Sequence, residues 1–275
     1  LKQTQAIGRV VLYVSLVCLS LITLFPLAWM LSGSIKTEAT IFNFPIQFIP
    51  DVVHWDNYLK AWSMVNFGAL FRNSLKISSL VTMGQLFTST LAAYAFAKIR
   101  FRGRDKLFLG YLATMMVPFQ VIMIPQFVMF RNLGLANTHL ALILPGMFSV
   151  FGVFLLKQFF TGIPDELLEA ARIDGCGEAR TLFTIVVPLS KAAISSLAIF
   201  TFKWTWNDFL APLIYINDKP KMTVPIGLSM FRMENITMYT YIMAGSVISL
   251  IPVIVVYIFT QKYLVQGIAL TGLKA

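Results

Sequence analysis

Charge is what this 275-residue chain has least of: Asp, Glu, Lys and Arg together make up 12% of it. A soluble domain carries about a quarter charged residues. With 57% hydrophobic residues and a mean hydropathy of +0.76, too few polar groups remain to cover a globule in water. Cysteine is as scarce. Cys18 and Cys176 stand alone, one in an apolar run and one in a loop, which excludes a disulfide framework and a thiolate metal site. The two histidines, His54 and His139, have no metal-ligating neighbour at helical spacing. No Gly-Lys-Ser/Thr is present, so the chain cannot cradle nucleotide phosphates in the P-loop manner. A Gly-x-Ser-x-Gly nucleophile elbow is also missing, as is a carboxylate pair placed for acid–base work. These absences point away from catalysis and leave no metal site to assign.

What is present is long apolar runs. They predict spanning helices rather than the alternating pattern of an outer-membrane barrel, and so an all-α membrane protein. About 20 apolar residues cross the hydrocarbon core. Six spans are expected, at about 9–31, 71–97, 107–130, 139–160, 192–216 and 240–263. The chain opens on Leu1, so a trimmed N terminus is expected. Its first run is longer than a signal-peptide core and lacks a small-x-small cleavage site, so it is read as a retained helix. Pro26 should loosen the end of the first span. The second carries Ser78, Ser79, Thr82, Gln85, Thr88, Ser89 and Thr90, too polar a set to face lipid all round. The third holds Pro118 and Pro125 beside Gln120 and Gln126. Such residues either pack helix on helix or line a cavity, and the sequence leaves both open.

Lys98, Arg100, Arg102, Arg104 and Lys106 crowd one short loop against a single acid, Asp105. The positive-inside rule makes that loop cytoplasmic and, by alternation, puts both termini inside. The outer segments are then 32–70, a turn near Arg131–Thr138, and 217–239. Residues 55–70, with Trp55, Tyr58, Leu59, Trp62 and Met64, have the pattern of an amphipathic interfacial helix. The longest inner segment lies between the fourth and fifth spans. There Pro164 suits a helix start, Asp165 and Glu166 suit the positive end of its dipole, and Gly175 suits a left-handed cap at its end. Leu167, Leu168 and Ala171 take one face of this helix; Glu166, Glu169 and Arg172 take the other. Gly177 then opens a second segment. The expectation is a helix–glycine–helix elbow offering Glu169, Arg172 and Asp174 to a soluble partner.

Charges inside spans are costly and tend to be functional. Lys76, Lys203 and Asp208 qualify. Asp208 either pairs with Lys76 or contacts a substrate, with pairing the favoured role. Trp204, Trp206 and Asn207 offer an alternative, a patch of aromatic faces and an amide suited to a polyol.

Glu169-Ala170-Ala171, then Asp174-Gly175, with Ile185 and Pro188-Leu189 following, resembles the EAA loop of ABC-importer permeases. The run Glu169-Ala170-Ala171-Arg172-Ile173-Asp174-Gly175 is similar to the carbohydrate-uptake branch, the MalG-like subunits of maltose-type importers. Trp206-Asn207-Asp208-Phe209 with Pro212-Leu213, Asn57-Tyr58, Arg72-Asn73-Ser74 and the tail from Gly267 to Lys274 resemble that branch too. Cys176 and Ala192 depart from it, where Ala and Pro are common. The resemblance covers essentially the whole chain and implies a type I importer (MetI-like) permease fold with N-in/C-in topology. It also implies three regions: a first helix with outer loop and interfacial helix (1–70), a five-helix core with a coupling helix at about 164–176 (71–263), and a cytoplasmic tail (264–275).

The function implied is half of the translocation pathway of an ATP-driven, binding-protein-dependent sugar importer in a bacterial or archaeal cell membrane, the inner one in a Gram-negative cell. The implied partners are an ATPase dimer that binds ATP and Mg, a second MalF-like permease, a solute-binding protein, and a sugar or oligosaccharide. No cofactor falls to this chain and no nucleic acid is expected. Glu169, Ala170, Ala171, Arg172, Asp174 and Gly175 would couple to the ATPase. Gln85, Gln120, Trp204, Asn207 and Asp208 are candidates for the pathway, and Lys219, Lys221, Arg232 and Glu234 for the binding-protein contact. The competing expectation is a secondary transporter or channel working without an ATPase. It calls for inverted repeats, and none is visible.

Overall fold

A computed structural model of the chain describes residues 2–232 and 237–272, and the side chains of 8–232 and 237–262. Among the described residues every regular element is a helix, apart from one isolated bridge between Arg232 and Thr237. In chain order the α-helices are α1 (Lys2–Ser34), α2 (Asp56–Met64), α3 (Phe67–Lys98), α4 (Arg104–Ala113), α5 (Phe119–Asn132), α6 (Leu140–Gly146), α7 (Val150–Thr161), α8 (Asp165–Ile173), α9 (Glu178–Thr181), α10 (Val187–Leu189), α11 (Lys191–Trp206), α12 (Leu210–Tyr215), α13 (Val224–Ser229) and α14 (Tyr239–Gly272).

Four stretches are long and apolar enough to cross a membrane: Gly8–Ser34, Phe67–Lys98, Leu140–Thr161 and Tyr239–Lys262. Two further stretches qualify only as bent pairs, α4 with α5 at 94° and Glu178–Leu189 with α11 at 82°. The third span expected over 107–130, with its helix breakers Pro118 and Pro125, corresponds to the first bent pair. Val117 is extended (φ −84°, ψ 111°), the conformation that the following Pro118 imposes on it, and the helix restarts only at Phe119. The run expected over 192–216 is corrected. Its helix stops at Trp206, where the Asn207 side chain donates back to the Lys203 carbonyl at 2.8 Å. A short α12 follows, with Pro212 in its first turn, where no N–H is needed. Within Leu140–Thr161 the helix is interrupted too, and the Ser149 hydroxyl caps its second half by accepting from the Gly152 N–H at 3.0 Å.

The contacts divide the chain into two compact units. The first comprises Leu1–Gly68 and Gly227–Ile251. In it, Ala61, Phe231 and Ala244 are buried together. Glu38 caps α14 by accepting from the Tyr239 and Thr240 N–H groups at 3.1 and 2.7 Å. Asn57 donates to the carbonyls of Ser34 and Lys36. Within 55–70 the chain forms α2, whose Leu59 and Trp62, with the preceding Trp55, are exposed while Asn57 and Ala61 turn inward.

The second unit, Ala69–Ile226 with Pro252–Ala275, is built along α3. One buried cluster joins Ala93 and Tyr94 to Val153, Leu156, Leu168 and Leu182. Another joins Ile77 and Val81 to Phe130, Leu142 and Tyr215. Between them α3 and residues 146–152 come within touching distance of each other's backbone. A Cβ on Gly152 would lie 2.6 Å from Ser89 Oγ, and one on Gly84 would lie 2.4 Å from Met147 Cε. Small residues permit that approach, and Ser89 of the polar second span takes part in it.

Candidate functional site

The elbow forms as its sequence directs. Pro164 is extended (φ −57°, ψ 135°) and α8 starts at the next residue. Leu168 and Ala171 are buried, while Glu169 and Arg172 face outward. At the far end Gly175 takes φ +79°. The Gly175 N–H donates to the Arg172 carbonyl at 3.0 Å and the Cys176 N–H to the Ala171 carbonyl at 2.9 Å. This is the paired bonding of a Schellman cap, and it satisfies carbonyls that the helix end would otherwise leave open. Gly177 returns to an extended conformation and α9 opens at Glu178.

Side chains from α3 hold both arms. Lys98 Nζ donates to Asp165 Oδ1 at 2.6 Å and to the Ile163 carbonyl at 2.5 Å. The Tyr94 hydroxyl donates to Glu178 Oε2 at 2.5 Å. The other oxygen of that carboxylate accepts from Arg172 Nε at 3.1 Å. Bonds with a charged partner are about twice as strong as neutral ones. The Lys98 ammonium, aided by Arg100 and Arg172, holds the Asp165 carboxyl below its ordinary range. Lys98, Arg100, Asp165, Leu168, Glu169, Arg172 and Glu178 line a surface hollow of about 370 Å³. Glu169 makes no hydrogen bond or ion pair to any described residue, so it is the free acid at this hollow. Arg172, expected to be offered outward, is tied to Glu178 within the chain.

Tyr94 and Glu178 do not stand out in the sequence, and Lys98 reads there only as part of the basic loop, not as a partner of the elbow. The available signal was the four-residue spacing of Tyr94 and Lys98 on one helix face. Their partners lie 84 and 67 residues further on, which no local pattern discloses.

The other candidates are dispersed. Gln85 is buried on α3 and Gln120 is exposed at the start of α5. Trp204 is 82% exposed and Trp206 2%, so the single patch expected of them does not form. Two residues apart on a helix point to opposite sides. Trp206 packs against Phe71 and Phe202. Asp208 is half-buried and accepts from the Ala211 N–H at 3.3 Å, capping α12. Among the described residues it forms no ion pair with Lys76, contrary to the favoured expectation. The helix break supplies backbone N–H partners within three residues, and the carboxylate uses one of these.

Lys219 is exposed. Lys221 is committed within the chain, to the Asn137 carbonyl at 3.0 Å and to Asp218 at 2.8 Å. Arg232 is exposed, and Glu234 lies outside the described residues. Residues 217–224 are pinned down. Asn73 Nδ2 donates to the carbonyls of Pro220 and Met222 at 2.8 and 2.9 Å, and the Val224 N–H donates to Ser74 Oγ at 2.8 Å. Asn137 Oδ1 accepts from the N–H groups of Asn217 and Asp218.

The chain is similar to several transport permeases. The arabinooligosaccharides transport system permease protein AraQ of Halalkalibacterium halodurans is 32% identical over 276 residues, covering 99% of each chain. Its Bacillus subtilis counterpart is 35% identical and covers 98% of this chain and 97% of that one. The lactose transport system permease protein LacG of Rhizobium radiobacter is 31% identical, covering 94% of each. Among solved structures, a chain of a bacterial ABC transporter involved in import of the acidic polysaccharide alginate superposes with a TM-score of 0.82 at 25% identity, over 94% of this chain and 97% of that one. Residues 85–270 match the family described as binding-protein-dependent transport system inner membrane component. The chain belongs to that family: it is a membrane-embedded permease subunit of a binding-protein-dependent importer, with no catalytic role of its own.

Proposed function

We propose that this chain forms one half of the translocation pathway of an ATP-driven sugar or oligosaccharide importer in a prokaryotic cell membrane. It would act with a second permease, a cytoplasmic ATPase dimer that binds ATP and Mg, and an extracytoplasmic solute-binding protein. The observation that carries this reading is the elbow. A capped, rigid α8 leaves one acid, Glu169, free at the edge of a polar hollow. That suits insertion into a cleft with a basic residue. The relatives named for arabinooligosaccharide and lactose transport support an oligosaccharide substrate.

In this reading six spans cross the membrane, the third and fifth being the bent pairs, with both termini and the basic loop at Lys98–Lys106 cytoplasmic. Arg172, Asp174 and Gly175 shape the coupling helix, and Ala170 and Ala171 keep its surface close-fitting. On the outer side Lys219 and Arg232 are free to meet the binding protein. Trp204, Asn207 and Gln120 are exposed side chains suited to the pathway or to the second permease. The region 1–70 contributes a span and an interfacial helix, 71–263 the core, and 264–275 a tail on the cytoplasmic side.

The test is co-purification from native membrane in mild detergent. A P-loop ATPase and a second permease are expected to accompany the chain. A chain recovered alone or as a homo-oligomer would contradict the reading and favour a transporter that works without an ATPase.

A further inference from the structure

Tyr94 and Lys98 lie one turn apart near the end of α3, and each holds one arm of the elbow. Lys98 fixes the chain just before α8 and its first residue. Tyr94 fixes the first residue of α9, whose carboxylate also ties Arg172 on α8. Beneath them Tyr94, Leu168 and Leu182 share one buried cluster. Apolar contact is non-directional and lets one helix roll on another. Bonds with a charged partner at two separate points remove that freedom.

The opposite end of α3 carries Asn73 and Ser74, which hold residues 220–224. α3 is 32 residues long and has no proline, so it is a continuous helix between the two sets of bonds. From residue 73 to residue 94 it spans about 32 Å at the usual rise. A single stiff element is therefore bonded to the elbow at one end and to the 217–224 loop at the other.

We propose that α3 is the connecting rod between these two regions, and that Tyr94 and Lys98 are the positioning residues through which it follows the elbow. A displacement of α8 by the ATPase is passed to α3 at these two side chains. The same rod carries Asn73 and Ser74, so the loop on the binding-protein side moves with it. In the other direction, a loaded binding protein pressing on that loop signals to the ATPase along the same helix. This rests on the ATPase-driven reading above and adds the residues that transmit the motion.

The experiment uses the whole importer, reconstituted in lipid nanodiscs with its binding protein and substrate. Tyr94→Phe removes one hydroxyl and leaves the ring in its cluster. The expected result is an intact complex whose thermal stability and basal ATP hydrolysis match wild type, while stimulation of hydrolysis by the loaded binding protein falls about tenfold, the scale set by one bond to a charged group. Lys98→Met is expected to lose stimulation likewise, and Lys98→Arg, which keeps a charged donor, to retain it. Unchanged stimulation in both Tyr94→Phe and Lys98→Met overturns the proposal. So does a proportionate fall in stability, basal and stimulated hydrolysis together, because that marks a purely structural contact. A wild-type chain that binds no ATPase overturns the importer reading itself, before any variant is made.

Discussion

Lys98 and Asp165 form an unequal pair: at 2.6 Å separation, the lysine side chain is 4% exposed and the aspartate 63%. The cation is the partner held in the protein, and the anion reaches it from the water side. Removing the two partners should therefore have different consequences. Asp165→Ala strands a buried ammonium with only the Ile163 carbonyl, whereas Lys98→Met frees a carboxylate that water solvates at once. Thermal unfolding of the purified complex is expected to show the larger loss for Asp165→Ala. Equal losses would mean that the ammonium finds water when its partner is gone.

The same pair fixes a pH dependence. The Asp165 carboxyl titrates below its ordinary value because Lys98 donates to it. A depressed acid contributes stability that is fully present above its unfolded value, about 3.9, and is lost as pH falls through the lower folded value. The protection of amides in 163–175, taken relative to the intrinsic exchange rate at each pH, should thus be unaffected by this pair from neutral pH to about 5 and fall under more acid conditions. Asp165→Asn should remove that acid limb. An unaltered acid limb in the variant would assign it to another group.

Gly152 meets Ser89 so closely that a single methyl is too much. Gly152→Ala puts its Cβ 2.6 Å from Ser89 Oγ, and overpacking of this kind costs about 1–3 kcal/mol. Deleting the hydroxyl leaves 3.3 Å as the nearest contact, so the double variant Gly152→Ala with Ser89→Ala is expected to recover most of the loss. Melting curves of the four combinations measure this directly, and simple additivity would contradict it.

At Gly175 a Cβ would meet nothing within 4 Å, so its requirement for glycine is one of backbone alone. Gly175→Val should cost about 1–2 kcal/mol for the left-handed conformation, and Gly175→Asn clearly less. Protease sensitivity near 173–178 should follow that order. Equal tolerance of Val and Asn would mean that the cap is not held at φ +79° in the working complex.

Asn73→Ala removes both donors to the carbonyls of Pro220 and Met222. With each bond worth about 1 kcal/mol net, segment 217–224 should show faster amide exchange while the α8 cap stays protected. Loss of protection at both sites would indicate general unfolding instead.

The sequence disclosed what depends on local chemistry. The α8 elbow was legible because proline, two acids and a glycine mark a helix's ends within 12 residues. Four of the apolar runs are legible as helices long enough to cross a membrane; the bends of the other two are not legible. Val117–Pro118 breaks one such run, and Asn207 ends a helix inside another that hydropathy alone treats as continuous. Pro118 was noticed, yet only the backbone shows that Val117 extends and the axis turns by 94°. The favoured Lys76–Asp208 pair does not form; Asp208 accepts from the Ala211 N–H at a helix start, a partner that hydropathy does not disclose. The bonds that Tyr94 and Lys98 make to Glu178 and Asp165 are not legible because these residues meet only through tertiary packing.

The most direct test of the central claim is charge reversal at Glu169 in the reconstituted importer. Glu169 is exposed and makes no bond within the chain's described residues, so Glu169→Lys should leave folding and membrane insertion unchanged. If α8 seats in the ATPase, ATPase retention and substrate-stimulated hydrolysis should both collapse, by the scale of several kcal/mol seen when one partner of a buried charge pair is lost. Wild-type uptake and hydrolysis in the Glu169→Lys complex would contradict the account.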